Sequence, residues 1–284
     1  DAAEQAQTVG EKILAALNQP YQLASHHVHS TTSVGAVLFR GQGQTVEDVV
    51  KHADLAMYAA KTAGRNSIRF FDPRMQAAVT ARATLENDLR TAVEQGQFTL
   101  HYQTQVGCGT RVVGAEALIR WQHPELGLVA PDRFIPIAEE IDMIIPIGQW
   151  VLEQALAQLA QWRKKGAKDL RMAVNLSAHQ LRKETIVADI INVLAQYDLG
   201  KGALELEITE SVAMQYPEQN AKLLAELRQQ GIELAIDDFG TGYSSLSYLR
   251  HLPINSLKID RSFIKALPEN TSDRQITTAI IAMA

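Results

Sequence analysis

Glu116, Asn175, Glu207, the pair Asp237-Asp238, and Lys258 are the residues whose types and spacing could do chemistry. All but Glu116 fall at the C-terminal ends of successive strand-like segments, and in a βα barrel those ends converge on one face. Carboxylates gathered there repel one another and lose hydration, which is very costly without counter-charge. A divalent cation resolves that conflict, and an oxygen-rich Glu/Asn/Glu/Asp set suits hard ions such as Mg²⁺, Mn²⁺ or Ca²⁺. Each residue also has a bland reading. A lone strand-end Asp is usually a helix cap, Asn175 before Leu176-Ser177 could form a turn, and Lys258 and Arg120 could be solvated or ion-paired. Asp260 could cap locally, and Glu205, deeper in its strand than Glu207, reads as structural. Independent caps, however, are not expected at the same end of so many consecutive strands. The histidines His26, His27 and His29 lie in a turn-like segment without supporting carboxylates, and His101, His123, His179 and His251 are scattered. None of them is assigned a role.

Positioning this set requires a regular alternation of strands and helices. Phe98 to Val106 and Val112 to Trp121 read as strands joined by Gly107-Cys108-Gly109, a link so short that the pair must be antiparallel. Alternation along the second strand puts Glu116, Leu118 and Arg120 on one face and Ala115, Ala117 and Ile119 on the other. Helices are predicted at Pro131–Glu140, Ile147–Lys165, Glu184–Tyr197 and Pro217–Gln230. Between and after them come strands at Arg171–Leu176, Ala203–Thr209, Ile232–Asp237 and Ser256–Asp260, with a last helix from about Ser272. Strands separated by helical crossovers imply a parallel sheet covered by helices, doubly wound or a barrel. No G-x-G-x-x-G or Walker motif occurs, which weakens the nucleotide-binding doubly wound option.

The N-terminal stretch has a different rhythm. A helix over Val9–Leu17 is followed by a β-prone run from Tyr21 to Phe39, a helix capped at Thr45 and running to about Ala63, and a strand at Ser67–Phe71. This αββαβ piece is small for an independent core. A long helical stretch from Pro73 to Gly96 reads either as a link between two domains or as the first helix of the second.

The chain has 284 residues with 46% hydrophobic and 21% charged, the balance of a globular protein rather than a disordered one. A formal net charge of -5 argues against a polynucleotide partner while leaving room for a small phosphorylated ligand. Cys108 is the only cysteine, which excludes an internal disulfide and a multi-thiolate metal site and points to a reducing, cytoplasmic compartment. The longest apolar run, Ile141 to Ile147, is broken by Asp142 and Pro146, so no membrane span is predicted. The chain opens on Asp1 rather than methionine, and is expected to be an excerpt of a longer protein.

Glu116-Ala117-Leu118-Ile119-Arg120-Trp121 resembles the E-x-L-x-R signature of the EAL family of cyclic-di-GMP phosphodiesterases. Asn175-Leu176-Ser177, Glu207-Ile208-Thr209-Glu210, Asp237-Asp238-Phe239-Gly240-Thr241-Gly242-Tyr243-Ser244 and Lys258-Ile259-Asp260 follow in the family's order over residues 85–284. A lone Glu-Ala-Leu would mean nothing, but the ordered set is specific. The resemblance implies a TIM-like (β/α) barrel with one antiparallel strand, and metal-dependent hydrolysis of cyclic di-GMP to linear pGpG. It implies that Glu116, Asn175, Glu207 and Asp237 bind Mg²⁺ or Mn²⁺, and that Asp238 helps to hold a second ion. Two such ions would activate water and stabilise both the attacking and the leaving oxygen. Lys258 would orient or activate the water, Arg120 would contact a substrate phosphate beside Leu118 and Gln103, and Glu210 would brace the Asp238–Ser244 loop.

Residues 1–72 resemble the closing half of a GGDEF (diguanylate cyclase) domain through Ser33-Val34-Gly35, Ala53 to Lys61 and Gly64-Arg65-Asn66. Lys61 and Arg65 match positions that contact GTP phosphates there. The Gly-Gly-Asp/Glu-Glu-Phe loop is absent, so the chain is not expected to make the dinucleotide. In the EAL family two further strands, with a metal-binding Glu and a substrate-facing Gln, follow Lys258. The chain stops at Ala284 in the helix before them, so a barrel incomplete at its C-terminus is expected. The resemblance also implies a homodimer through the EAL domain, sensory domains upstream in the parent protein, and an inner-membrane anchor only in segments outside this sequence. Two other functions stay open. One is an EAL domain that binds the dinucleotide as a receptor without cleaving it. The other is an enolase-like enzyme using Lys258 to take a proton, which the Asp pair and Arg120 suit less well than a phosphate substrate.

Overall fold

The computed structural model describes residues 2–23, 26–39, 43–241 and 246–283. Gly242, Tyr243 and Ser244 of the predicted loop, and part of the β-prone run before Phe39, lie outside the described residues. The chain divides into two compact units, Asp1–Leu85 and Glu86–Ala284.

In the first unit α1 (Ala2–Leu17) precedes an antiparallel hairpin of β1 (Tyr21–Leu23) and β2 (His26–Val28). Next come β3 (Val34–Ala36), α2 (Val46–Thr62) and β4 (Ile68–Phe70). β3 and β4 pair in parallel, with Val34 opposite Ile68, so α2 is the crossover that a parallel pair demands. Thr45 caps α2 in a full capping box with Asp48, as its sequence indicates. Gly35 is required by contact: a Cβ there would lie 2.1 Å from the Ala53 carbonyl oxygen, so the helix rests directly on the strand.

Helix α3 (Pro73–Ala92) crosses the boundary between the units. Its regular part stops at Ala92, and the chain closes it with Gly96 N–H on the Val93 carbonyl and Gln97 N–H on the Ala92 carbonyl. That is a Schellman motif with Gly96 at φ +65°, the conformation glycine adopts without steric penalty.

The second unit continues with β5 (Phe98–Val106), β6 (Val112–His123), β7 (Gly127–Val129), α4 (Pro131–Glu140), α5 (Ile144–Lys164) and β8 (Arg171–Asn175). Then come α6 (Ala178–Leu181), α7 (Ile186–Leu194), β9 (Leu204–Thr209), α8 (Glu210–Gln215), α9 (Pro217–Gln229) and β10 (Glu233–Phe239). The chain ends with α10 (Leu246–Leu249), β11 (Ser256–Ile259), α11 (Arg261–Lys265) and α12 (Thr271–Met283). The sheet order is β11-β10-β9-β8-β6-β5, with β7 also on β6. β5 and β7 run antiparallel to β6 and all other pairs are parallel. This is the strand arrangement of a TIM-like barrel with one antiparallel entry strand; among the described residues it is open between β5 and β11.

Strands β8, β9 and β10 read as nearly continuous buried segments because helices cover one face and the interior covers the other. Leu204, Leu206 and Ile208 are at most 1% exposed, and each such side chain contributes roughly 1.5–3 kcal/mol by leaving water. Period-two alternation then sends Glu205 and Glu207 to the opposite, inner face. Glu205 is paired there with Arg171 at 3.3 Å, the structural part that its depth in the strand predicts.

Two differences from the sequence reading have clear causes. β6 runs on past Trp121 to His123 because β7, which alternation did not reveal, pairs with it from Trp121 to His123. The buried His123 fastens the turn: its Nδ1 accepts the Glu125 and Leu126 N–H groups, leaving Nε2–H to donate to Asp88 Oδ2 at 3.0 Å. α5 begins at Ile144, ahead of Pro146, because a proline in the first turn removes no intrahelical hydrogen bond. Among the described residues no helix is long and apolar enough to cross a membrane.

Candidate active site

Register brings the singled-out side chains together. Gln103 on β5 lies opposite Glu116 on β6, Asn175 on β8 opposite Glu207 on β9, and Thr209 opposite Asp237 on β10. Between β10 and β11 the register shifts: Ile236 faces Leu257, but Phe239 faces Ile259. Two residues, Asp237 and Asp238, therefore stand against Lys258 alone, a β-bulge with Asp238 at φ +54°. In a regular strand consecutive side chains point to opposite faces; the bulge interrupts that alternation at the Asp pair.

Lys258 Nζ is the point of convergence. It lies 2.6 Å from Glu207 Oε2, 3.0 Å from Glu116 Oε2 and 3.8 Å from Asp237 Oδ1. Asn175 donates through Nδ2 to Glu116 Oε1 at 2.9 Å. Side-chain exposure rises from 0% at Glu207 through 16% at Glu116 to 23% at Asp237 and 30% at Lys258, so Glu207 is the floor and the others rise toward solvent. Burial pushes the Glu207 carboxyl up to about 7; the Lys258 hydrogen bond works against that, while Glu116 and Asp237 add to it. For Lys258 burial alone would lower the ammonium's pKa, but its hydrogen bonds and charge contacts with Glu207 and Glu116 outweigh this and raise it, so it stays a cation. Asp238 is pushed up by its own burial and by the neighbouring Asp237 and Asp260.

Among the described residues no three His, Cys, Asp or Glu side chains are disposed as a ready-made metal cage. The carboxylates are turned onto the Lys258 ammonium instead, and Asn175 presents nitrogen rather than oxygen. The donor chemistry nonetheless fits a hard divalent cation. Three carboxylates and an amide meet at one place, and the oxygen-rich set carries three acidic groups against the single ammonium of Lys258. A half-turn of the Asn175 amide about χ2 exchanges its nitrogen for its oxygen at the same position.

The other predicted residues are arranged around this centre. Glu210 Oε2 accepts the Gly240 N–H at 2.7 Å, on the loop that follows the Asp pair. Leu118 and Arg120 stay outside the cluster and line an adjoining cavity of about 520 Å³, together with Asn175, Glu207 and Glu139. That volume lies within the ordinary range of small-ligand sites. The Arg120 guanidinium donates to the neighbouring Ile119 carbonyl at 2.8 Å and touches no acidic residue of the centre. Gln103 shares the face of Glu116 by register. One participant was missed: Gln105, whose Nε2 donates to Glu207 Oε1 at 3.4 Å. Alternation could have found it, since Gln105 lies two residues from Gln103 on the same face. Gly114, opposite Gln105, leaves it room, because a Cβ there would come within 3.0 Å of the Gln105 amide oxygen.

Comparison with known proteins gives the arrangement a context. The family model described as EAL domain matches residues 86–284, and that of the diguanylate cyclase GGDEF domain matches residues 1–67. The chain is 43% identical over 279 residues to the bifunctional diguanylate cyclase/cyclic di-GMP phosphodiesterase MucR of Pseudomonas aeruginosa, covering 98% of this chain and 41% of that protein. It is 37% identical over 278 residues to the cyclic di-GMP phosphodiesterase PdeR of Escherichia coli, covering 98% and 42%. The chain thus spans less than half the length of these relatives. The solved structure of the PaMucR phosphodiesterase in complex with c-di-GMP superimposes with a TM-score of 0.68 at 44% identity, over 70% of this chain and 81% of that one. The FimX EAL domain of Pseudomonas aeruginosa bound to c-di-GMP does so with a TM-score of 0.63 at 25% identity, over 70% and 79%. The chain belongs to the EAL domain family.

Proposed function

We propose that residues 86–284 form a metal-dependent phosphodiesterase domain that opens cyclic di-GMP to linear pGpG, acting in the cytoplasm of a bacterium. The observation that carries this reading is the convergence of Glu116, Glu207, Asp237 and Asn175 around Lys258, beside a cavity lined by Arg120. Glu116, Asn175, Glu207 and Asp237 would hold a Mg²⁺ or Mn²⁺ ion, and Asp238, at the bulge, would serve a second. Bound there, the ions would supply an activated water and charge stabilisation at the reacting phosphate.

The chain's own residues do the rest. Lys258, a flexible ammonium with three donors and no acceptor, would position the attacking oxygen by donating hydrogen bonds to it. Arg120 offers a charged fork to a substrate phosphate, for which its planar donors are suited, while Leu118 and Gln103 border the ligand. Glu210, by holding Gly240, fixes the chain just after the Asp pair. The relatives named as cyclic di-GMP phosphodiesterases support the substrate.

Chromatographic assay of cyclic di-GMP turnover, with Mn²⁺ or Mg²⁺ and with excess chelator, tests the reading. Glu116→Ala should lose most activity, ~100-fold or more, while its circular dichroism is unchanged, since a partly exposed ligand is removed rather than a core side chain. Turnover by that variant equal to the parent's, or turnover in chelator, defeats the proposal. Tight binding of the dinucleotide without any turnover identifies a receptor instead.

A further inference from the structure

We propose that Lys258 is a built-in counter-ion that competes with the divalent cation for its own carboxylates, so that metal loading exchanges one cation for another. This rests on the metal-binding reading above and adds how that site is regulated.

The three carboxylates come from three strands, β6, β9 and β10, and Nζ lies within 3.8 Å of each. A hard divalent ion takes the same oxygens at roughly 2.0–2.6 Å. Both cations cannot stand at one point, and two positive charges so close in a half-buried site repel strongly. Metal entry must therefore turn the ammonium off at least Glu207 and Glu116. The side chain can do this, because 30% of it is exposed and its stem is flexible.

The topology gives the ammonium a second task. β11 and β6 are not neighbours: β10, β9 and β8 separate them in the sheet. The Lys258–Glu116 contact, between residues 142 apart in sequence, reaches across the interior and ties the two strands together. Without metal, Lys258 both gives the fully buried Glu207 carboxyl a charged hydrogen-bond donor and links two non-neighbouring strands of the site. With metal, the ion does both, and the ammonium is released toward the water it is proposed to position.

Titration of Mn²⁺ alone into the 284-residue chain by calorimetry, paired with thermal unfolding in chelator and in saturating Mn²⁺, tests the exchange. Lys258→Met should bind Mn²⁺ at least tenfold more tightly than the parent. Its metal-free Tm should fall, and saturating Mn²⁺ should raise that Tm by more than it raises the parent's. Lys258→Gln, also uncharged, should show the same tightening and stands in if the methionine variant does not fold. Unchanged or weaker Mn²⁺ affinity in the uncharged variants overturns the exchange while leaving the metal site intact. Absence of Mn²⁺ binding by the parent and both variants refutes the metal site itself, and the exchange with it. Glu116→Gln should bind Mn²⁺ more weakly than the parent; equal affinity would place the ion elsewhere and overturn both.

Discussion

Replacing Glu207 by glutamine should change how stability depends on pH more than it changes stability itself. Glu207 has no exposed side-chain surface, and its carboxyl titrates near 7 in the fold rather than at its ordinary 4.5. Between those two values the folded chain binds a proton that the unfolded chain releases. Stability from this group is therefore complete below pH 4.5 and is lost as pH rises through about 7. The gap corresponds to roughly 3 kcal/mol, the most that ionising this floor residue can cost without a divalent ion. Glutamine keeps the shape and a hydrogen-bond acceptor for Lys258 but has no proton to lose. Urea unfolding in excess chelator at pH 4.5, 6, 7 and 8.5 should show the parent losing up to ~3 kcal/mol relative to Glu207→Gln across the series. Groups far from Glu207 contribute equally to both proteins and drop out of the difference. Saturating Mn²⁺ should flatten the parent's curve, because an ion that binds only the folded, ionised site stabilises it by mass action. Parallel pH curves for the two proteins in chelator would refute the reasoning, since Glu207 would then ionise in the fold as readily as in water.

Two further substitutions probe the supports of the site. A Cβ at Gly148 would lie 2.0 Å from Gln180 Nε2, and Gln180 completes the capping box with Ser177 that starts the helix after Asn175. Gly148→Ala should cost about 1–3 kcal/mol by overpacking and loosen that cap, read as a lower urea midpoint; an unchanged midpoint would mean that the Gln180 side chain has room to move aside. Glu210→Ala should leave the Gly240 N–H without its 2.7 Å acceptor, and amide exchange at Gly240 should then accelerate at least tenfold, whereas unchanged exchange would show that the loop is held by other contacts.

Much of the site was legible in sequence because the properties that mark it are local. Strand direction and period-two alternation follow from residues close in the chain, so Glu116, Leu118 and Arg120 could be put on one face and Asn175, Glu207 and Asp237 at strand ends without coordinates. Tertiary structure decided everything that depends on two strands meeting. The bulge that sets Asp237 and Asp238 against Lys258 is a mismatch of register between β10 and β11, which neither strand carries alone. The reach of Lys258 to Glu116 depends on the curvature of the sheet between β11 and β6, and the approach of Gln105 to Glu207 on how β5 lies over the interior. β7 was invisible for a related reason: three residues are too few to show alternation, and their strand exists because β6 offers a free ladder edge and His123 anchors the turn. Sequence thus determined which side chains face inward and at which end, because that is set by the chain's own geometry. Only the assembled sheet decided that three carboxylates share one ammonium, because that balance of charge and distance exists nowhere along a single strand.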